Sequence, residues 1–135
     1  MTISRTGAIV AAMKFTLEGA SGANLIRGYS ADGIRIGEHL VRASCLVTAD
    51  TLITQWAPQR FAEFTAAHVA DILALEPEVV VLGTGATQQF PSAAVRALLA
   101  SRGVGLEAMQ LGAACRTFNV LVQEERPVLG ALFLR

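Results

Sequence analysis

The sequence predicts an α/β fold, and three observations carry that prediction. Residues 57–135 alternate between helical and strand patterns. Within them Val79-Val80-Val81-Leu82 is a continuous apolar run, the pattern of a central parallel strand covered on both faces. Residues 1–56 are instead rich in Gly, Thr, Ser and β-branched residues, with turn signals between short runs. A chain of 135 residues fits one domain, 1–135, and can bury roughly two-thirds of its extended surface without metals or disulfides.

Residues 1–24 read as a partly irregular N-terminal segment. Gly7–Met13 is an apolar run that faintly resembles a signal core. Lys14 interrupts it, at the low end of the ~7–15 residues such a core needs. Strands are predicted over Leu25–Ser30, Gly33–Ile36, His39–Val47 and Thr51–Trp56. Ala31-Asp32-Gly33 and Ala49-Asp50 are the turns, since Asp-Gly readily supplies positive φ.

Thr65 can cap a helix over Ala66–Leu75, where Val69, Ile72, Leu73 and Leu75 follow helical spacing and Pro77 is the stop. A strand over Glu78–Leu82 follows. Pro91 suits the first turn of the next helix and Gly103 its end. Val104–Met109 is a strand. Leu111–Val122 is a helix with Ala114, Cys115, Phe118, Leu121 and Val122 on its apolar face. Val128–Leu134 closes the fold as a strand. This order requires at least one crossover, expected to be right-handed.

Composition excludes several functions. The chain is 53% hydrophobic and 16% charged, which argues for a large core and against disorder. Eleven basic residues balance eleven acidic ones, so there is no electrostatic footprint for nucleic acid. The same neutrality leaves little repulsion between copies and permits a homodimer. No run approaches ~20 apolar residues, so no membrane span is expected, and the reading is a cytoplasmic protein. Cys45 and Cys115 form no C-x-x-C and read as small buried apolar residues. His39 and His68 lack metal-ligand spacing, so neither metal nor cofactor is expected.

Two polar clusters stand out. Gly83-Thr84-Gly85 follows the apolar strand, where glycines let backbone N–H groups approach an anion. A dinucleotide fingerprint would need glycine at the position of Gln88, and Phe90-Pro91 delays the helix. A Walker loop would need a following Gly-Lys-Ser/Thr. A structural turn and a small-ligand or anion pocket remain. The second cluster is Arg116-Thr117-Phe118-Asn119, with Phe118 toward the core and Arg116 and Asn119 on the other side. Arg116 can hold a carboxylate or carbonyl, and Asn119 can donate and accept. They either tie the helix to neighbouring loops or line a polar cleft with the glycine turn. The candidate cleft residues are therefore Gly83, Thr84, Gly85, Arg116, Thr117 and Asn119. No acid and base stand at a recognisable catalytic spacing, so no catalytic residue is assigned and the chain reads as non-enzymatic.

The segments LGTG (82–85), FP (90–91), GLEAM (105–109) and AACRTFNVL (113–121) resemble a domain-of-unknown-function family. That family includes mitochondrial complex I assembly factor 3 and adipogenesis-associated domain proteins. Gly28-Tyr29, Gly33-Ile34-Arg35-Ile36 and Leu46-Val47-Thr48 resemble its N-terminal half. The resemblance implies a bacterial member with a three-layer fold: a central mixed sheet, flanking helices and an N-terminal β layer. It also implies an accessory role in membrane respiratory-complex assembly or protein export, exercised on a protein partner. Gln110-Leu111 stands where relatives often carry Asp-Thr, so a side-chain helix cap is expected to be missing.

Overall fold

The structure, a computed structural model, describes residues 14–16 and 23–135. The Gly7–Met13 run and most of the segment expected to be irregular lie outside the described residues. Among the described residues nine strands are formed: β1 (Lys14–Thr16), β2 (Ile26–Ser30), β3 (Gly33–Ile36), β4 (His39–Val41), β5 (Cys45–Val47), β6 (Thr51–Ile53), β7 (Val79–Thr84), β8 (Gly105–Met109) and β9 (Val128–Phe133). Three α-helices accompany them: α1 (Val69–Leu73), α2 (Ala93–Ser101) and α3 (Leu111–Gln123).

The main sheet has the order β1-β6-β5-β9-β7-β8, and β2-β3-β4 form a separate antiparallel sheet. Strand β7 runs parallel to both β8 and β9, whereas β9 meets β5 antiparallel. The apolar run therefore occupies the interior parallel position that its composition predicts. Alternate side chains of the central strands feed two cores, one on each face. Val81, Leu132, Cys45 and Val47 pack with α3 and the small sheet. Val80, Leu82, Leu129, Phe133 and Leu46 pack with α1, α2 and the aromatic group of Trp56, Phe61 and Phe64. The fold is thus the three-layer α/β arrangement that the resemblance implies, with the small sheet and α3 forming one outer layer.

Several boundaries differ from expectation, each for an identifiable reason. The single strand expected over His39–Val47 is broken, because β4 and β5 belong to different sheets. Ser44, fully buried at the break, donates its hydroxyl to the Pro58 carbonyl. The helix expected over Ala66–Leu75 opens as a 3-10 turn over Ala66–His68. There the Thr65 hydroxyl accepts from Ala67 N–H, and His68 Nδ1 accepts from Thr65 N–H. It ends at Leu73, short of the expected Leu75, and the chain turns away at Glu76, with a left-handed φ of 55°, before Pro77. Pro91 lies just ahead of α2, whose cap is Ser92, while Gly103 follows its end at φ +70° as predicted. The Phe118 ring lies over Gly130, where any β-carbon would sit 3.2 Å from it.

Candidate functional site

Gly83 and Thr84 end β7, and Gly85 begins the turn after it. A β-carbon on Gly83 would come within 3.1–3.2 Å of Ala114, Leu111 and Leu132, so glycine lets α3 seat closely on the strand. Thr84 is fully buried. Its hydroxyl lies 2.6 Å from the Thr87 carbonyl and 3.2 Å from the Met109 carbonyl, and accepts from Gln89 N–H at 3.0 Å. Gly85 needs its freedom, because its φ is +87°. Its carbonyl accepts from Leu111 N–H at 2.8 Å, joining the turn to the start of α3.

On α3 the second cluster splits. Asn119 Oδ1 accepts from Ile26 N–H and its Nδ2 donates to the Ile26 carbonyl, both at 2.8 Å. It thereby supplies the two partners that the outward backbone of edge strand β2 would otherwise lack. Thr117 is half-buried, with its hydroxyl 3.4 Å from Met109 Sδ. Arg116 is exposed and makes no hydrogen bond or ion pair among the described residues. Arg116→Ala is therefore expected to change unfolding free energy by less than ~0.5 kcal/mol in urea melts.

A cleft of about 300 Å³ opens where these elements meet, lined by Tyr29, Ala31, Gly85, Gln110, Leu111 and Leu134 among others. It lies past the carboxyl end of β7, where open α/β sheets place ligands. Of the six sequence-derived residues, Gly85 is in its wall, whereas Gly83, Thr84, Arg116, Thr117 and Asn119 are not. Sequence reasoning missed Tyr29. It is 47% exposed, and its ring covers the first turn of α3 so closely that a β-carbon at Gly112 would lie 2.7 Å from Cζ. The cap expected to be missing at Gln110 is present: the longer amide folds back and accepts from Gly112 N–H. With Leu111 N–H also bonded, the start of α3 is largely satisfied, and the cleft is more apolar than anion-binding.

Both cysteines are free and buried. Burial, reinforced by Cys115, pushes the Cys45 thiol from an ordinary 9.0 up to about 12. Burial also pushes Cys115 up to about 11, against the opposing charge of Arg116. Both thiols should therefore resist a water-soluble thiol reagent in the native state and react on unfolding. The unfolded thiols ionise near 9, while the folded ones keep their protons to about 11 and 12. The folded state then binds more protons in that window, so stability is full below 9 and falls as pH rises through it. Melting temperatures of the wild type and Cys45→Ala across that window check this, with a shallower fall expected in the variant. No group of three or more His, Cys, Asp or Glu side chains suited to a metal occurs among the described residues. No helix among them is long and apolar enough to cross a membrane.

Residues 26–133 match a family described as protein of unknown function (DUF498/DUF598). The chain is 34% identical over 115 residues to a Danio rerio protein named NADH dehydrogenase [ubiquinone] 1 alpha subcomplex assembly factor 3, covering 84% of this chain and 66% of that one. It thus spans a little under two-thirds of that curated relative. Among solved structures, a Xanthomonas campestris protein determined by NMR superposes with a TM-score of 0.75 at 38% identity, covering 82% of this chain and 84% of that one. A Bordetella pertussis protein described as an Mth938-like domain superposes with a TM-score of 0.73 at 26% identity, covering 90% and 92%.

Proposed function

The chain belongs to the DUF498/DUF598 family, and from that membership we propose that it is a non-enzymatic accessory protein acting by binding a protein partner during assembly of a membrane respiratory complex. The assembly-factor name of its Danio rerio relative supports the role. One structural observation carries the binding reading. Two of the polar groups singled out in the sequence, the Thr84 hydroxyl and the Asn119 amide, face the protein's own backbone, while Arg116 is exposed without a polar partner among the described residues. Their work is to fix a surface, and a fixed surface is what a binding protein offers. Protein export is the second setting in which such a partner is sought, and a bacterial cytoplasm is the expected compartment. The test is crosslinked capture from a native lysate with reciprocal tagging. A partner recovered in both directions, belonging to a membrane complex or its assembly machinery, is the expected result. Repeated reciprocal failure together with a measured turnover overturns it.

A second reading has its own observation. The cleft past β7, with Gly85 in its wall, has room for a small molecule. In its fuller form this reading joins Gly83-Thr84-Gly85 to Arg116 and Asn119 as a ligand or enzyme site. A metabolite that raises the melting temperature, with the rise lost in Leu111→Trp, supports the cleft. Loss of the rise in Arg116→Ala is required for the fuller form.

A further inference from the structure

The outer face of the small sheet carries two arginines that have no polar partner among the described residues. In the β2–β3–β4 ladder Gly28 stands opposite Arg35, and Arg35 opposite Leu40. Residues directly opposite share a face, so these three form one row. That row points to solvent, since Ile26, Ile34, Ile36 and Val41 turn inward and are buried. A register shift between Ile26 and Gly28 puts Arg27 outside the regular pairing, and Arg27 too is exposed. A bulge re-aims a side chain in this way.

Gly28 is the informative residue. Its φ is not positive, so the backbone does not require glycine. A β-carbon there would meet nothing within 4 Å among the described residues, so their packing does not require it either. Glycine inside a strand weakens it and can mark the close approach of a ligand or another chain. Gly28 lies in a shallow depression of about 330 Å³, with Arg27, Asp32, Arg35 and Leu40 among its other walls. Neither Arg27 nor Arg35 makes a hydrogen bond or ion pair among the described residues, and Asp32 pairs with neither. Because the whole chain is neutral, these two exposed guanidinium groups are not the overflow of a basic protein.

We infer that this depression docks an acidic segment of a partner protein, an aspartate or glutamate carboxylate sitting over Gly28 between Arg27 and Arg35 with an apolar neighbour against Leu40. The forked donors of arginine match a carboxylate, and the exposed leucine favours a peptide over a free anion. The inference rests on the partner-binding reading and names its chemistry. The experiment is an NMR titration of the labelled protein with a blocked peptide alternating glutamate and leucine. Its glutamine counterpart and inorganic phosphate are separate probes. Expected are saturable shifts at Arg27, Gly28, Arg35 and Leu40 with the glutamate peptide, weakening with added salt. Arg35→Gln should weaken binding about tenfold. Gly28→Val should abolish it while leaving the melting temperature at or above that of the wild type, because the added side chain enters open space. Shifts elsewhere only, unchanged affinity in Gly28→Val, or equal binding of phosphate or the glutamine peptide overturns the docking site. Those results leave the partner-binding reading to its own capture test.

Discussion

Asn119→Leu is expected to destabilise the protein by about 2–4 kcal/mol, measured as the loss of unfolding free energy in urea. The size follows from what the amide holds. Ile26 is buried, and its N–H and C=O both point away from β3 toward α3, where Asn119 meets each at 2.8 Å. Leucine keeps the helix and much of the volume but satisfies neither group. Two backbone groups then lose their partners where water has poor access. Asn119→Asp separates the two bonds: its carboxylate still accepts from Ile26 N–H but faces the Ile26 carbonyl with a second acceptor. It should fall between the wild type and the leucine variant. The Ile26 amide should also lose its hydrogen-exchange protection before the β7 amides do. A leucine variant of wild-type stability would mean that the amide is not anchoring β2.

The same pair of residues shows how far the sequence could be read. Helical spacing puts Arg116 and Asn119 within about 60° of each other, so they look like one polar face. On α3 that angle separates solvent from β2, and the two side chains have different fates. No local pattern carries that difference, because it depends on where a strand some ninety positions earlier is laid down. The elements that were legible are those with a strong local cause. The run Val79–Leu82 forms an interior strand and the Phe118 side of α3 is continuous, whereas the β2–β3 turn falls at Ala31-Asp32 without the positive φ expected of Asp-Gly, Gly33 already pairing with Ser30 in β3.

The errors fall where a tertiary bond overrides a pattern. His39–Val47 looks like one strand, but the chain passes from one sheet to the other between Val41 and Cys45, where the buried Ser44 hydroxyl donates to the Pro58 carbonyl. No local sequence pattern marks Asn24, yet it is buried. Its N–H donates to the Ala49 carbonyl at 2.7 Å, and its amide donates to the carbonyls of Thr48 and Thr51. The cleft was missed for the same reason. Tyr29, Gly85, Gln110 and Leu134 come from four separate stretches, and only the closed sheet brings them together.

Thr84→Val should cost about 2–3 kcal/mol, and the variant tests whether the Gly83–Gly85 turn is held from within. Valine matches threonine in shape, so packing at the end of β7 is retained and the change isolates the hydroxyl. A hydroxyl has one proton, so it can donate fully to only one of its two carbonyl neighbours. The 2.6 Å contact to Thr87 takes precedence over the 3.2 Å contact to Met109. Its lone pair accepts from Gln89 N–H, so the side chain closes the loop from both ends. Removing it orphans the Thr87 carbonyl and the Gln89 amide. The Gln89 side chain, bonded to the Thr84 carbonyl at 3.3 Å, can compensate only in part. The loss should therefore appear twice: as a lower unfolding free energy, and as faster exchange of the amides from Ala86 to Gln89. Thr84→Ser keeps the hydroxyl and should preserve the slow exchange despite its lost methyl. Because Gly85 and Ala86 line the cleft, the valine variant should also weaken anything that binds there, through disorder of the wall. If Thr84→Val instead kept full stability and slow exchange, the hydroxyl would not be needed by the fold. The ligand reading of the glycine turn would then gain the polar group that its own geometry denies it.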